Sequence, residues 1–390
     1  MGTITREISL KSTSKDRLDS LQPCYLFSAD KFYANARSFI SAFKETFDDF
    51  TLAYSTKTCP HMLVLSELRQ VKGANIEIVS PRELFLAKLA GFEDNEIVYN
   101  GVIPDDENKF RIAAHGGIVN LENPNEVRRL AELAFRTKTR IEVGLRVNLD
   151  IDESRKWKSR FGILPGTDAY KECFELQSDY FEIVGFHIHV HGCRSIEMWM
   201  NRAAKLGWLG KTVKNLKYLD FGSNMFGFMD DRLAAQFDTP IPTFQEYAKA
   251  IYHELNALYD VIPTIIIEAG TPIVADTMSV VGKVENIYER GFDTIATASC
   301  SVYDFGFFHG SDKKVPMDVV HRSQGKEYSN VEIFGYACTE DDTLCKSYSG
   351  RLAIGDLLIF RNLGAYAVSL RTDFIKTRMP VYAIDEILQE

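Results

Sequence analysis

Ala53-Tyr54-Ser55-Thr56-Lys57-Thr58-Cys59 closes the first of eight short runs rich in Val, Ile, Phe and Tyr. The runs lie near residues 51–56, 76–79, 96–100, 117–121, 140–147, 182–190, 217–221 and 264–268. Longer amphipathic stretches stand between them, such as 81–91, 124–136 and 243–258. In 124–136 the apolar residues follow the 3-4 spacing of a helix packed on one face. Pro81 and Pro124 suit first helical turns, where a missing N–H costs no hydrogen bond. Eight such units at roughly 30-residue intervals predict an α/β fold, an eight-stranded parallel (β/α)8 TIM-like barrel of about 250 residues. An open doubly wound sheet is the alternative. Eight units favour closure, and no G-x-G-x-x-G opens a helix after the first run.

After about residue 276 the pattern changes. Strand-like runs at 278–288, 293–298, 330–337, 356–361 and 364–370 follow closely, with few helical stretches between them. This predicts a C-terminal antiparallel β-sandwich or barrel domain. Cys24-Tyr25-Leu26-Phe27 reads as a strand that could pair with it, whereas 309–330 reads as a polar loop. The expected domains are therefore a barrel over 30–275 and a β-domain built from 1–29 and 276–390.

With 390 residues, the chain exceeds the size at which single cores stop growing. A net charge of −9 and a pI near 5.5 argue against nucleic-acid or membrane partners. No apolar run is long enough to span a bilayer, and the N-terminus lacks a secretory h-region. The seven cysteines (24, 59, 173, 193, 300, 338 and 345) are scattered, and none forms C-x-x-C. That fits a reducing, cytoplasmic location and reads against a zinc site.

In a parallel barrel, functional groups gather where the strands end. Lys57 ends the first run, His189 and His191 the sixth, Gly222 the seventh and Glu268 the eighth. One rim thus collects an amine, an imidazole, a small-residue turn and a carboxylate, the set that pyridoxal 5'-phosphate requires. A lysine amine forms the Schiff base. A carboxylate, here Glu268, keeps the pyridine nitrogen protonated so that the ring accepts electrons. A flat side chain, here His189, stacks on the ring. Backbone N–H groups of a tight turn hold the phosphate, and Gly222-Ser223-Asn224 and Gly270 fit that need. Taken singly, each residue has a plainer reading. A strand-end lysine is usually a solvated surface residue, Asp220-Phe221-Gly222 reads as a turn, and Cys338 as a small buried hydrophobe. His187, His189 and His191 share one strand face and suggest a metal. No carboxylate or cysteine completes a motif with them, and no metal is expected. It is the joint order that carries the functional reading.

On these motifs the sequence resembles the pyridoxal-phosphate decarboxylases with an alanine-racemase-like barrel, the diaminopimelate, ornithine and arginine decarboxylase group. The likeness spans about residues 22–385. Tyr54-Ser55-Thr56-Lys57-Thr58-Cys59 matches the family's lysine motif, Ser80-Pro81-Arg82-Glu83 its Ser-x-x-Glu, and Leu145-Arg146-Val147-Asn148 its Leu-Arg-Ile/Val-Asn. Arg160-Phe161-Gly162 resembles Lys-Phe-Gly, and His187-Ile188-His189 matches His-x-His. Gly222-Ser223-Asn224 corresponds to a Gly-Gly-Gly phosphate loop, and Glu268-Ala269-Gly270-Thr271 to Glu-Pro-Gly-Arg. Gly335-Tyr336-Ala337-Cys338-Thr339-Glu340-Asp341-Asp342 and Gly364-Ala365-Tyr366 match the late cysteine motif and the Gly-Ala-Tyr that reaches the phosphate.

The resemblance implies a decarboxylase acting on an α-amino acid group, free or conjugated. Lys57 and Cys338 would be catalytic, and Arg146, His189, Gly222, Ser223, Asn224, Glu268, Gly270 and Tyr366 would join Lys57 in binding the cofactor. Thr339 and Asp342 would line the substrate pocket. It also implies a homodimer in which the cysteine segment enters the other subunit's site. The departures concern the substrate. Thr271 replaces an arginine, Ser223 and Asn224 replace glycines, Gly192 stands at a phosphate-binding serine and Pro104 at a lysine. Cys338-Thr339-x-x-Asp342 is similar to members that act on siderophore or antibiotic precursors, and Thr339 stands where diaminopimelate and diamine-forming enzymes carry an acidic residue. The expected substrate is therefore a specialised-metabolite precursor, with diaminopimelate, ornithine, lysine or arginine as the alternative. A racemase or epimerase on the same scaffold is a weaker alternative because of the late Cys-x-x-x-Asp motif, and a non-catalytic binding protein because the lysine and cysteine are both present.

Overall fold

A computed structural model describes residues 5–8, 20, 22–152 and 159–384. Among these, β1 (Thr5–Ile8) and β2 (Cys24–Phe27) come first. Eight parallel strands follow: β3 (Phe50–Ser55), β4 (Ala74–Ile78), β5 (Ile97–Tyr99), β6 (Ile118–Leu121), β7 (Ile141–Arg146), β8 (Phe181–His187), β9 (Tyr218–Asp220) and β10 (Thr264–Ile267). Each pairs with the next, and β10 pairs back to β3, so the barrel is closed as the eightfold recurrence predicts and the open sheet is excluded.

The helices between the strands start where their sequences say they should. Ser80 and Asn123 accept hydrogen bonds from the backbone N–H groups of Glu83 and Glu126, with Pro81 and Pro124 at the first helical positions. Thr243 and Glu246 form a reciprocal capping box at the helix Phe244–Asn256. Such caps, each typically worth about 1 kcal/mol, end a loop sharply and leave the preceding strand end aimed at the rim.

By compactness the chain divides into a barrel unit, Asn35–Phe226 with Thr239–Ile273, and a sheet unit, Met1–Ala34 with Gly227–Asp238 and Val274–Glu390. The sheet unit adds β11 (Met278–Arg290), β12 (Asp293–Ala298), β13 (Met317–Val320), β14 (Lys326–Phe334), β15 (Thr343–Leu352), β16 (Leu357–Phe360) and β17 (Val381–Ala383). Five pairings are antiparallel, but β1–β13, β12–β14 and β17–β2 are parallel, so the nine-stranded sheet is mixed. Short spacing between runs suggests hairpins, which are antiparallel. Two of the parallel pairs instead join segments far apart in the chain, which local spacing cannot reveal.

Three further expectations are corrected here. Residues 364–370 are not a strand: Asn362 and Tyr366 have φ of 62° and 59°, and a short helix, Ala367–Leu370, follows. The polar stretch 309–330 contains β13 and the start of β14. β15 carries only two fully apolar aliphatic residues, both leucines, and so escaped the hydrophobic reading.

Inside the barrel, Tyr218 lies across the middle. It packs with Ala53, Val98, Val184 and Ile266 as a buried apolar layer. Its ring passes over Gly144 and Gly185, and a Cβ on Gly185 would stand 2.4 Å from the ring. We predict that Gly185→Ala lowers stability by about 1–3 kcal/mol through overpacking. Urea unfolding measures this, and an unchanged midpoint would show that the Tyr218 ring is not held in place.

Candidate active site

A single 3-10 turn, Thr56–Thr58, follows β3 and turns Lys57 toward the mouth of the barrel. Ser55 and Glu77 are register partners across β3 and β4. The Ser55 hydroxyl donates to Glu77 at 2.6 Å, and the Lys57 ammonium pairs with the same carboxylate at 2.8 Å. The lysine side chain keeps 33% of its exposure while Glu77 is buried. Lys57 is therefore an oriented amine at the edge of a closed interior.

Behind it lies a network of buried polar groups. Asn100, one residue past β5, donates from its side-chain nitrogen to Glu77 at 3.2 Å and also to Glu268. Its oxygen accepts from Asn120 at 2.9 Å, and Asn120 also donates to Asp220 at 3.0 Å. The Tyr218 hydroxyl donates to Asn120 at 2.9 Å. His187 Nε2 stands 3.4 Å from Glu268, and both are buried.

The charges in this network separate. Burial pushes the Asp220 carboxyl well up, and the nearby Glu268 adds to the shift. Burial acts on Glu268 in the same direction, but His187 and Lys57 outweigh it and hold that carboxyl well below the usual range. Asp220 thus keeps a proton and Glu268 stays ionised. Ligand atoms of His187, Asp220 and Glu268 fall within 4.8 Å of one another, the spacing of a metal site. This corrects the sequence reading that no carboxylate joins the histidines, since Asp220 and Glu268 come from other strand ends; both carboxyl groups also accept hydrogen bonds, from Asn100, Asn120 and the Gly222 N–H.

His189 lies just past β8, where its Nδ1 accepts from the Ser223 N–H at 3.3 Å. Desolvation, and then the charge of Lys57, push its pKa well below the ordinary value, so the ring is a neutral flat face. The turn after β9 has Gly222 at φ 57° and Asn224 at φ 97°. A Cβ on Gly222 would meet Ile188 O at 2.7 Å, so the close packing of the turn needs glycine there. At Gly270 a Cβ would stand 2.0 Å from Thr58 Oγ1, which holds the segment after Glu268 against the Lys57 turn. Arg146 pairs with Glu122 at 2.9 Å and lies over the Phe161 ring.

The barrel unit thus brings Lys57, His189, Gly222, Ser223, Asn224, Glu268 and Gly270 into one region, with Arg146 beside it. Cys338, Thr339, Asp342 and Tyr366 belong to the sheet unit. Cys338 is exposed, the other six cysteines being buried. The Thr339 hydroxyl lies 3.3 Å from that of Tyr303. Asp342 is buried, and its carboxylate accepts from Ser301, Val302 and Ala337, which ties its loop to the Ser301–Val302 segment. Tyr366 sits at the left-handed turn before Ala367–Leu370.

Residues 34–275 match the family model described as pyridoxal-dependent decarboxylase, pyridoxal binding domain. The chain belongs to the pyridoxal-dependent decarboxylases. Diaminopimelate decarboxylase of Methanocaldococcus jannaschii is 23% identical over 370 residues, covering 90% of this chain and 83% of that enzyme. The Aquifex aeolicus diaminopimelate decarboxylase is 26% identical over 376 residues, with coverage of 90% and 84%. Among solved structures, diaminopimelate decarboxylase from M. jannaschii in complex with L-lysine superposes with a TM-score of 0.80 at 21% identity, covering 95% of this chain and 89% of that one. Lysine/ornithine decarboxylase from Vibrio vulnificus in complex with cadaverine gives 0.74 at 20%, with coverage of 97% and 98%. The protein is thus an amino-acid decarboxylase that uses pyridoxal phosphate.

The decarboxylase's residues fit that cofactor. A buried, ionised glutamate is available for a pyridinium nitrogen. The turn has two left-handed residues, and the buried Asn224 Nδ2 has no hydrogen-bond partner among the described residues. No helix among the described residues is long and apolar enough to cross a membrane.

Glu77, Asn100, Asn120, Asp220 and Arg202 escaped the sequence reading as site residues. A polar residue inside an apolar strand run, as in Ile76-Glu77-Ile78 or Val119-Asn120-Leu121, was the available signal. Next to Glu77 and Lys57, burial raises the Glu83 carboxyl to about 6, against the bond from the Val79 N–H and with a contribution from Glu77. The folded state therefore holds this proton more tightly than the unfolded state. The resulting stabilisation, about 2 kcal/mol, is complete below the ordinary value and is lost as pH rises through about 6. Glu83→Gln should thus gain melting temperature relative to wild type between about pH 5 and about pH 8. An equal offset at both would rule out Glu83 as the titrating group.

Proposed function

We propose that this decarboxylase removes the α-carboxylate of an amino acid carrying a second polar end, diaminopimelate being the leading substrate. What supports this reading is that the likeness to diaminopimelate decarboxylases runs through both units, including the sheet unit that carries Cys338 and Thr339. When bound, the cofactor supplies a protonated ring that accepts the electron pair left at Cα as the bond to the carboxylate breaks and CO2 departs.

The chain's own residues prepare that step. Lys57 provides the amine for covalent attachment, and Glu77 holds it in place at 2.8 Å. Glu268 keeps a proton at the ring nitrogen, with Asn100 and His187 fixing the orientation of its carboxylate. His189 presents a neutral face for stacking. Cys338, the exposed cysteine, delivers the replacing proton to Cα, and it does so across a homodimer interface.

A siderophore or antibiotic precursor is the second reading, favoured by Thr339 in place of an acidic residue. Its other motif residue, Asp342, is already engaged by three donors, Ala337 in its own loop and Ser301 and Val302 in a neighbouring segment, which weakens that reading. Release of CO2 across meso-diaminopimelate, ornithine, lysine, arginine and a citryl-conjugated diamino acid decides between them. We expect the highest kcat/KM on diaminopimelate, and a highest value on the conjugate would reverse the order of the two readings.

The shared-site arrangement has its own test. Lys57→Ala and Cys338→Ala should each be inactive or nearly so as homodimers. Mixing and re-equilibrating the two should restore activity, because one hybrid site then receives both native residues. Failure to complement, with exchange of subunits verified by mass, would place the lysine and the cysteine in the same subunit's site or remove the cysteine from the reaction.

A further inference from the structure

Helix Ile196–Gly210 carries an arginine on its buried face. Arg202 has 0% exposure, and its guanidinium stacks over the Trp199 ring at 4.0 Å. Its Nη1 donates to the carbonyls of Phe221 at 3.1 Å and Ser223 at 2.9 Å, and Nη2 to that of Val190 at 3.4 Å. Two of these carbonyls flank or belong to the turn Gly222-Ser223-Asn224, and the third belongs to the loop that carries His189 and His191. An apolar side chain would fill the same space without the cost of burying a charge.

Peptide geometry makes these contacts directional. In a trans peptide the C=O and the following N–H point in opposite directions. The Phe221 carbonyl faces Arg202, and the next N–H, that of Gly222, reaches Asp220 on the other side at 2.9 Å. By the same rule the Ser223 carbonyl turns the Asn224 N–H away from Arg202, and the Val190 carbonyl does so for the His191 N–H. The Asn224 side chain is oriented as well: Arg194 Nε donates to its oxygen at 3.2 Å, while its buried nitrogen has no partner among the described residues. The Gly222 and Ser223 N–H groups thus donate within the protein, to Asp220 and His189, the Asn224 N–H faces away from Arg202, and a fixed positive charge stands behind the turn.

We propose that Arg202 is the positioning residue of the cofactor's phosphate turn. It sets the direction of the turn's N–H groups and supplies, from behind the backbone, positive charge for a phosphate dianion. This makes up for the arginine absent at position 271 and for the Ser and Asn that replace two glycines. The inference rests on the assignment of Gly222–Asn224 to the phosphate. Arg202 itself makes no contact with the cofactor.

The test compares pyridoxal 5'-phosphate with pyridoxal, which lacks only the phosphate. Dissociation constants of both for the full-length apoprotein are read from the absorbance of the bound aldehyde, with a thermal melt to check folding. In Arg202→Met we expect pyridoxal to bind as in wild type and the preference for the phosphorylated form to fall by about tenfold or more. An unchanged preference would overturn the proposal. Should Arg202→Met not fold, Arg202→Lys is measured in the same way. It keeps the charge but not the three-carbonyl fork, so a reduced preference supports the positioning role and a preserved one overturns it. A wild-type protein that binds pyridoxal as tightly as the phosphorylated form would instead overturn the assignment of the turn itself, and the proposal with it.

Discussion

The barrel interior depends on one side-chain amide placed between two buried carboxylates. Asn100 donates to Glu77 and Glu268 together, and without it two buried acidic groups would lose a shared hydrogen-bond donor. Burying such charges is costly unless each is hydrogen-bonded. The amide meets that need for both glutamates while itself staying neutral. Glu77 holds Lys57, and Glu268 stays well below the usual carboxylate range. The lysine amine at the mouth and the buried carboxylate of Glu268 are thereby tied through a single residue.

Asn120 and Asp220 extend this arrangement one layer down. Asn120 links the amide of Asn100 to Asp220 and receives the Tyr218 hydroxyl, so that three strands, β5, β6 and β9, share one set of hydrogen bonds. With Glu77 and Glu268 the network draws on five strands, β4, β5, β6, β9 and β10, which explains why closure matters. In an open sheet, β3 and β10 would lie at opposite edges, and Glu268 could not share a partner with Glu77.

Much of this was readable from the chain, and the remainder was hidden for identifiable reasons. Lys57, His189, Gly222 and Glu268 end apolar runs, and strand ends in such a barrel converge, so their proximity followed from counting strands. Glu77, Asn100 and Asn120 are also strand or strand-end residues, but a single polar residue in a short run reads equally well as a solvent-facing position. Only the register, which sets Glu77 opposite Ser55, assigns it to the interior. Arg202 was hidden for a different reason: on a helix, an arginine looks like a surface residue until its burial is known. In the sheet unit, alternation revealed β11 and β12 but not β15, whose outward residues are serine, lysine and glycine. The parallel pairings of β1 and β17 join segments hundreds of residues from their partners, beyond the reach of any local pattern.

Tyr218 and its apolar neighbours also have an electrical consequence. They form a layer of low polarisability inside the barrel, joined to the buried polar network by the Tyr218 hydroxyl on Asn120. Field lines from the carboxylates of that network spread least through such a layer and most toward the open end. The barrel therefore acts as a one-sided lens: the potential of its buried carboxylates is concentrated at the mouth, where the lysine amine and a cationic ring would sit, and is weak at the opposite end. A protein with the same residues over a polar, hydrated floor would lose much of that focus without changing a single contact at the rim.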